Sequence, residues 1–170
     1  TFVDMYYFEE EIARETKTAG LRAVLGQTVI QFPVADAKTP ADALARAETF
    51  LQAFAHDPLI TPAVAPHAMY TLDGPTLKAA RDLSRRYSAP TLIHLAETQD
   101  ETRTAQERFK SSPVAYLDSL GFLGPGVLGA HGVWVSDADI VILKARGVGV
   151  SHNPESNMKL ASGTAPVPAY

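Results

Sequence analysis

The sequence predicts an α/β fold built on a parallel sheet, an incomplete (β/α)8 barrel. Three observations lead there. Short apolar runs alternate with stretches of helical period along all 170 residues, the pattern of repeated βα units. The apolar runs are not polar at every second position, as expected of strands covered on both faces. Four of the five histidines close such a run: His67 after Ile60–Pro66, His94 after Thr91–Ile93, His131 after Val127–Ala130 and His152 after Val148–Ser151. Parallel sheets carry their chemistry at the carboxyl ends of the strands. An open doubly wound sheet is the alternative, but it has one or two switch points for ligands. Several His-bearing strand ends suit a ring of ends around a common mouth. A complete barrel takes about 250 residues, so this chain is short by about two units.

The elements follow in order. Phe2–Phe8 is apolar and aromatic and reads as a strand, and Glu9–Thr18 is charged and helical, with Gly20 placed to end it. Leu21–Ile30 is the next strand. Thr39-Pro40-Ala41-Asp42 opens a helix with Thr as cap and Pro in the first turn, and its inward stripe is Leu44, Ala47, Leu51 and Phe54. Ile60–Ala65 is a strand and Thr76–Tyr87 a helix. Thr91–Leu95 is a strand, Gln99–Phe109 a polar helix and Val114–Leu120 a second short one. Gly126–Ala130 is a strand. Ser136-Asp137-Ala138-Asp139 is a capping box before a helix that ends at Gly147, and Val148–Ser151 is the last strand. Residues 151–160 read as a polar loop.

Composition narrows the function. Net charge is −4 with no basic run, which argues against a nucleic-acid partner. No apolar stretch approaches the roughly 20 residues of a membrane span, and no signal peptide is visible. There is no cysteine, so a metal site must use His and carboxylates. The absence of thiols fits a reducing compartment, and the expected location is cytoplasmic. The sequence leaves self-association open.

Thr91–Thr98 is the most specific segment. His94 lies near the end of a buried strand and Glu97 just past it. A metal ligand followed closely by a carboxylate is what metal-assisted hydrolysis needs: the cation lowers the pKa of a water and the carboxylate moves its proton. The competing reading is a satisfied core histidine and a helix-capping Glu. His131, between Ala130 and Gly132, is a second ligand, a hydrogen-bond partner of the reacting water, or a core His beside a tight turn. His67 precedes a helix and suits substrate contact or a backbone-bonded loop role. The Ser151–Leu160 loop, with His152, reads as a site wall. Irregularly spaced glycines before Val127 make no phosphate loop, and no Ser sits in a nucleophile elbow.

Four segments together, Ala65–Thr71, His94–Thr98, Gly129–Trp134 and Ser151–Gly163, resemble the amidohydrolase superfamily. The match is best in its branch of cytosine/guanine/adenosine-type deaminases and chlorohydrolases, nearest to the methylthioadenosine/S-adenosylhomocysteine deaminases. The resemblance covers essentially the whole chain, from about the second barrel strand to the loop after the seventh. It implies His94 as a metal ligand and Glu97 as the acid/base that shuttles a proton to a ring nitrogen. It implies His131 as the residue that orients the attacking water, and a metal ligand in dinuclear relatives, and His67 as a substrate contact. The implied metal is Zn²⁺, sometimes Fe²⁺. The implied reaction is hydrolytic loss of ammonia from an aminated N-heterocycle, a small-molecule substrate.

The family's first-strand His-x-His pair, its eighth-strand Asp and its flanking β-sandwich have no counterpart in residues 1–170. The expectation is therefore a central portion of a barrel enzyme that binds metal poorly and is inactive alone. Dechlorination or amide hydrolysis at another ring is the first alternative, and a metal-free barrel scaffold the second.

Overall fold

The computed structural model describes residues 1–170. The chain divides into two compact units, residues 1–67 with 71–92, and 68–70 with 93–170. The elements are β1 (Phe2–Tyr6), α1 (Glu9–Thr18), β2 (Ala23–Val29), α2 (Pro40–Ala53), β3 (Ile60–Pro66), α3 (Gly74–Arg86), β4 (Thr91–Leu95), α4 (Gln99–Phe109), α5 (Pro113–Ser119), β5 (Val127–His131), α6 (Asp137–Arg146), β6 (Gly149–Ser151) and α7 (Pro154–Lys159). A 3-10 turn at Val167–Ala169 follows.

In the first unit the strand order is β1-β2-β3-β4. β2 pairs in parallel with β1 (Asp4 opposite Leu25) and with β3 (Gly26 opposite Ala63). β3 meets the start of β4 at Val64 and Thr91. Ala13, Ala23, Leu25, Phe50 and Ile60 form one buried cluster between sheet and helices. Gly26 is required by close packing: a Cβ there would stand 2.8 Å from both the Ala65 Cβ and the Leu92 Cδ1. In the second unit the order is β4-β5-β6, and β5 and β6 pair in parallel with Gly129 opposite Val150. Gly129 lets the backbone close on Leu95, whose Cδ2 would be 2.7 Å from an added Cβ.

The helices start where side-chain oxygens can take orphan N–H groups. Thr39 accepts from Asp42 N at 3.1 Å, Asp73 from Thr76 N at 2.8 Å and Ser112 from Ala115 N at 3.0 Å. Ser136 and Asp139 form the expected capping box. Gly147, at φ 65°, ends α6.

Several expectations need correction. Phe8 is not in β1. It caps α1 in a left-handed conformation, φ 57°, with its N–H on Asp36. The inward stripe of α2 is Ala43, Ala47, Phe50 and Leu51. Leu44 and Phe54 are only half-buried; Phe54 is the C-cap of α2 and packs on the edge of the core cluster. The α3 helix begins at Gly74, two residues before the expected start, with Asp73 as its cap. Residues 151–160 are not a plain loop: Pro154 starts the short helix α7, consistent with the preference of Pro for the first helical turn.

Candidate functional site

The second unit gathers its polar groups where β4 and β5 end. β4 is Thr-Leu-Ile-His-Leu, and all but His94 are buried. The backbone then turns sharply at Ala96, φ 49°. That turn is held from below by Glu101, which is 2% exposed. Its Oε1 accepts the Ala96 N–H and its Oε2 the Glu97 N–H, each at 2.9 Å. The Ala96 carbonyl in turn accepts the N–H groups of Val133 and Trp134, at 3.0 and 2.8 Å. One peptide unit thus joins three chain segments, and Glu97 is carried on it. Thr98 caps α4, accepting from Glu101 N at 3.2 Å.

β5 ends on His131, 4% exposed. Its φ is 81°, a conformation that costs a non-glycine residue roughly 1–3 kcal/mol. The Gly132 N–H reaches back to Ala130 O at 3.3 Å and also to Leu95 O at 3.0 Å, so a tight turn centred on His131 is tied to the end of β4. The imidazole is held through one nitrogen and faces Glu97 with the other. Nδ1 lies 2.8 Å from Asn157 Oδ1, and Nε2 lies 3.6 Å from Glu97 Oε1. The His94 and His131 rings stack with centroids 5.6 Å apart at 22°.

Burial shapes the charges. Glu101 is pushed up to about 7 by desolvation, against the downward pull of the Ala96 and Glu97 N–H groups. Tyr70 is raised by its own burial and then by the carboxylates of Glu101 and Glu97. A second buried polar cluster sits in the first unit. There Glu9, fully buried, is pushed up to about 8 by desolvation, with one oxygen on Tyr6 N at 2.9 Å and the other without a partner. Gln27 donates to the nearby Asp36 at 2.7 Å.

The residues singled out from sequence fall as follows. His94, Glu97 and His131 converge in the second unit. His67 follows β3 in the first unit, its Nδ1 2.9 Å from Thr71 Oγ1 and its N–H on Val29 O. His152 is exposed and lines an apolar cavity of about 650 Å³ against α6 and β6, with Leu143, Val150 and Tyr170. Two residues escaped the sequence reading. Glu101 was legible as the fourth residue of Thr98-x-x-Glu101, a capping-box pattern. Asn157 lay in the segment read as a wall, and nothing in its spacing separates it from Asn153.

The donors fit a zinc-type ion in kind, imidazole and carboxylate without thiolate. They fall short in number: no three His, Asp or Glu side chains come together as a metal-holding group within residues 1–170. The arrangement joins a part-exposed carboxylate to a buried imidazole, each fixed from behind, which suits proton transfer beside a reacting water.

The chain is 44% identical over 169 residues to a 5-methylthioadenosine/S-adenosylhomocysteine deaminase of Aquifex aeolicus, covering 99% of this chain and 39% of that protein. It is 44% identical to a 5'-deoxyadenosine deaminase of Methanothrix thermoacetophila, covering 96% and 38%. Among solved structures, a zinc-bound adenosine deaminase from Xanthomonas campestris superposes with a TM-score of 0.93 at 36% identity, over 96% of this chain and 37% of that one. The chain thus spans about two fifths of the length of these relatives, and its fold is an incomplete TIM barrel of their kind. The amidohydrolase family model matches residues 1–170, and with the strand-end cluster just described this shows that the chain belongs to the amidohydrolase family.

Proposed function

We propose that the protein carrying this chain is a hydrolytic deaminase of an aminated N-heterocycle of the adenosine or S-adenosylhomocysteine kind. The observation that carries the reading is the Glu97–His131 pair, a carboxylate and an imidazole 3.6 Å apart at the ends of β4 and β5. The names borne by the relatives supply the substrate class.

In this reading water attacks the ring carbon that bears the amino group. Glu97 takes a proton from that water and hands it to the adjacent ring nitrogen. The second proton of the same water goes to the amino group, the carbon–nitrogen bond breaks, ammonia leaves, and the carbon keeps the oxygen. His131 orients the water through Nε2. His67 contacts the substrate. His94 would be one ligand of a Zn²⁺ or Fe²⁺ ion whose remaining donors this cluster does not supply, and such an ion, when bound, would lower the pKa of a water. Residues 1–170 alone are expected to be inactive for want of those donors.

The test is ammonia release by the full-length enzyme from 5'-deoxyadenosine, S-adenosylhomocysteine, guanine and a chlorotriazine. Release from the first two and not the last supports the reading, and release from none overturns it. Glu97→Gln is expected to keep the metal content and lower turnover by about 10²-fold or more, as for loss of a general acid/base. Unchanged turnover would remove Glu97 from the reaction.

A further inference from the structure

We propose that Asn157 is a positioning residue: its carboxamide oxygen holds the His131 proton on Nδ1 and so reserves Nε2 for the reacting centre. The proposal rests on the deaminase reading above for its catalytic consequence, and on geometry alone for the tautomer.

A neutral imidazole has one N–H and one lone pair, and the partner of one nitrogen decides the state of the other. The Asn157 oxygen can only accept, so at 2.8 Å it places the proton on Nδ1. Nε2 then presents its lone pair toward Glu97 Oε1, 3.6 Å away. That separation is too long for a direct hydrogen bond. It leaves the space beside both groups to a water or a substrate atom that can donate to each.

Two unfavourable features converge on this one ring. His131 holds a positive φ of 81°, with its imidazole on Asn157. Asn157 itself is 2% exposed, and its Nδ2 has no partner. A buried, unsatisfied amide donor costs about 1–3 kcal/mol. An apolar side chain of similar volume would remove that cost. What only the polar residue supplies is the oxygen on His131. Strain and an orphaned donor kept at one place point to a working part.

The mounting of Asn157 supports this. It lies in α7, which Asn153 starts by accepting the Asn157 N–H at 3.0 Å, and the Asn157 carbonyl accepts Ser162 N at 2.9 Å. The Ser162 carbonyl accepts Trp134 Nε1 at 2.6 Å. Farther on, Tyr170 donates to Gly132 O at 2.7 Å. The segment carrying Asn157 is therefore fastened to the residues that flank His131, and its oxygen has little freedom to withdraw.

The experiment uses the full-length enzyme labelled with ¹⁵N at histidine, as wild type, Asn157→Leu and Asn157→Asp. Ring ¹⁵N shifts and two-bond couplings report the tautomer of His131, and ammonia release from 5'-deoxyadenosine reports kcat and KM. The wild type is expected to show the proton on Nδ1. Asn157→Leu is expected to lose that signature and to lower kcat about 10- to 100-fold, with KM changed less than about threefold because no substrate contact is removed. Asn157→Asp keeps an acceptor and is expected to restore the Nδ1–H signature and the larger part of kcat. A wild-type His131 protonated on Nε2 would overturn the proposal even if no variant folds. So would Asn157→Leu with wild-type tautomer and kcat, or an Asp variant as impaired as the Leu one. If the wild type releases no ammonia from any substrate of the panel, the deaminase reading fails, while the ring shifts still decide the tautomer.

Discussion

Replacing Glu101 tests whether the turn that carries Glu97 is held by a single carboxylate. Its two oxygens take the Ala96 and Glu97 N–H groups at 2.9 Å each, with Glu101 2% exposed. Glu101→Ala removes both acceptors. Each N–H left without a partner costs about 1–3 kcal/mol, so the loss expected from the two is about 2–6 kcal/mol, the lower end applying if water enters the vacated space. Glu101→Gln keeps one acceptor and turns an NH2 toward the other donor, so roughly half that loss is expected. Urea unfolding at pH 7 measures both variants. Amide hydrogen exchange localises the effect: the Ala96 and Glu97 amides should be slow in the wild type, and both fast in the Ala variant. If Glu101→Ala unfolds within about 0.5 kcal/mol of wild type and those amides stay protected, the Ala96–Glu97 turn is held by something other than Glu101.

Further outcomes are expected. Glu9 is pushed up to about 8 by burial, so its proton is held more tightly in the folded than in the unfolded chain. The stability it contributes is full below about pH 4.5 and is lost as pH rises through about 8. A rise from 4.5 to about 8 corresponds to about 5 kcal/mol at the most. Glu9→Gln should accordingly flatten the fall in stability between pH 5 and 9, and an unchanged pH profile would show that Glu9 is not the titrating group. Gly26→Ala would press a Cβ to 2.8 Å from Ala65 and Leu92; a loss of about 1–3 kcal/mol is expected from overpacking, read as a lowered urea midpoint, and an unshifted midpoint would contradict that contact. His94→Ala in the full-length enzyme should lower bound metal per subunit, measured by elemental analysis, and undiminished occupancy would rule His94 out as a ligand.

The chain's apolar periods were enough to place most elements to within a residue or two. Glu9–Thr18, Thr91–Leu95 and Gln99–Phe109 stand where the pattern put them. Such segments are decided locally, by caps, period and covered faces, and the alternation of strand and helix leaves few topologies. Where local signals compete, the sequence misled. Phe8 has the composition of a strand residue, yet its N–H is taken by Asp36, distant in sequence, and it turns into a helix cap.

Sequence alone determined the βα alternation, the lack of thiolate chemistry, and the strand-end positions of His94, Glu97 and His131. These follow from residue order, since a strand's last residue is at the sheet's edge wherever that strand lies. Only the tertiary structure decided how those groups are held. Glu101 supports Glu97 through two backbone N–H groups, and Asn157 reaches His131 from 26 residues away. Hydrogen bonds between segments far apart in sequence have no period, so composition and spacing cannot announce them. They arise only when packing closes the distance and burial removes the competing water.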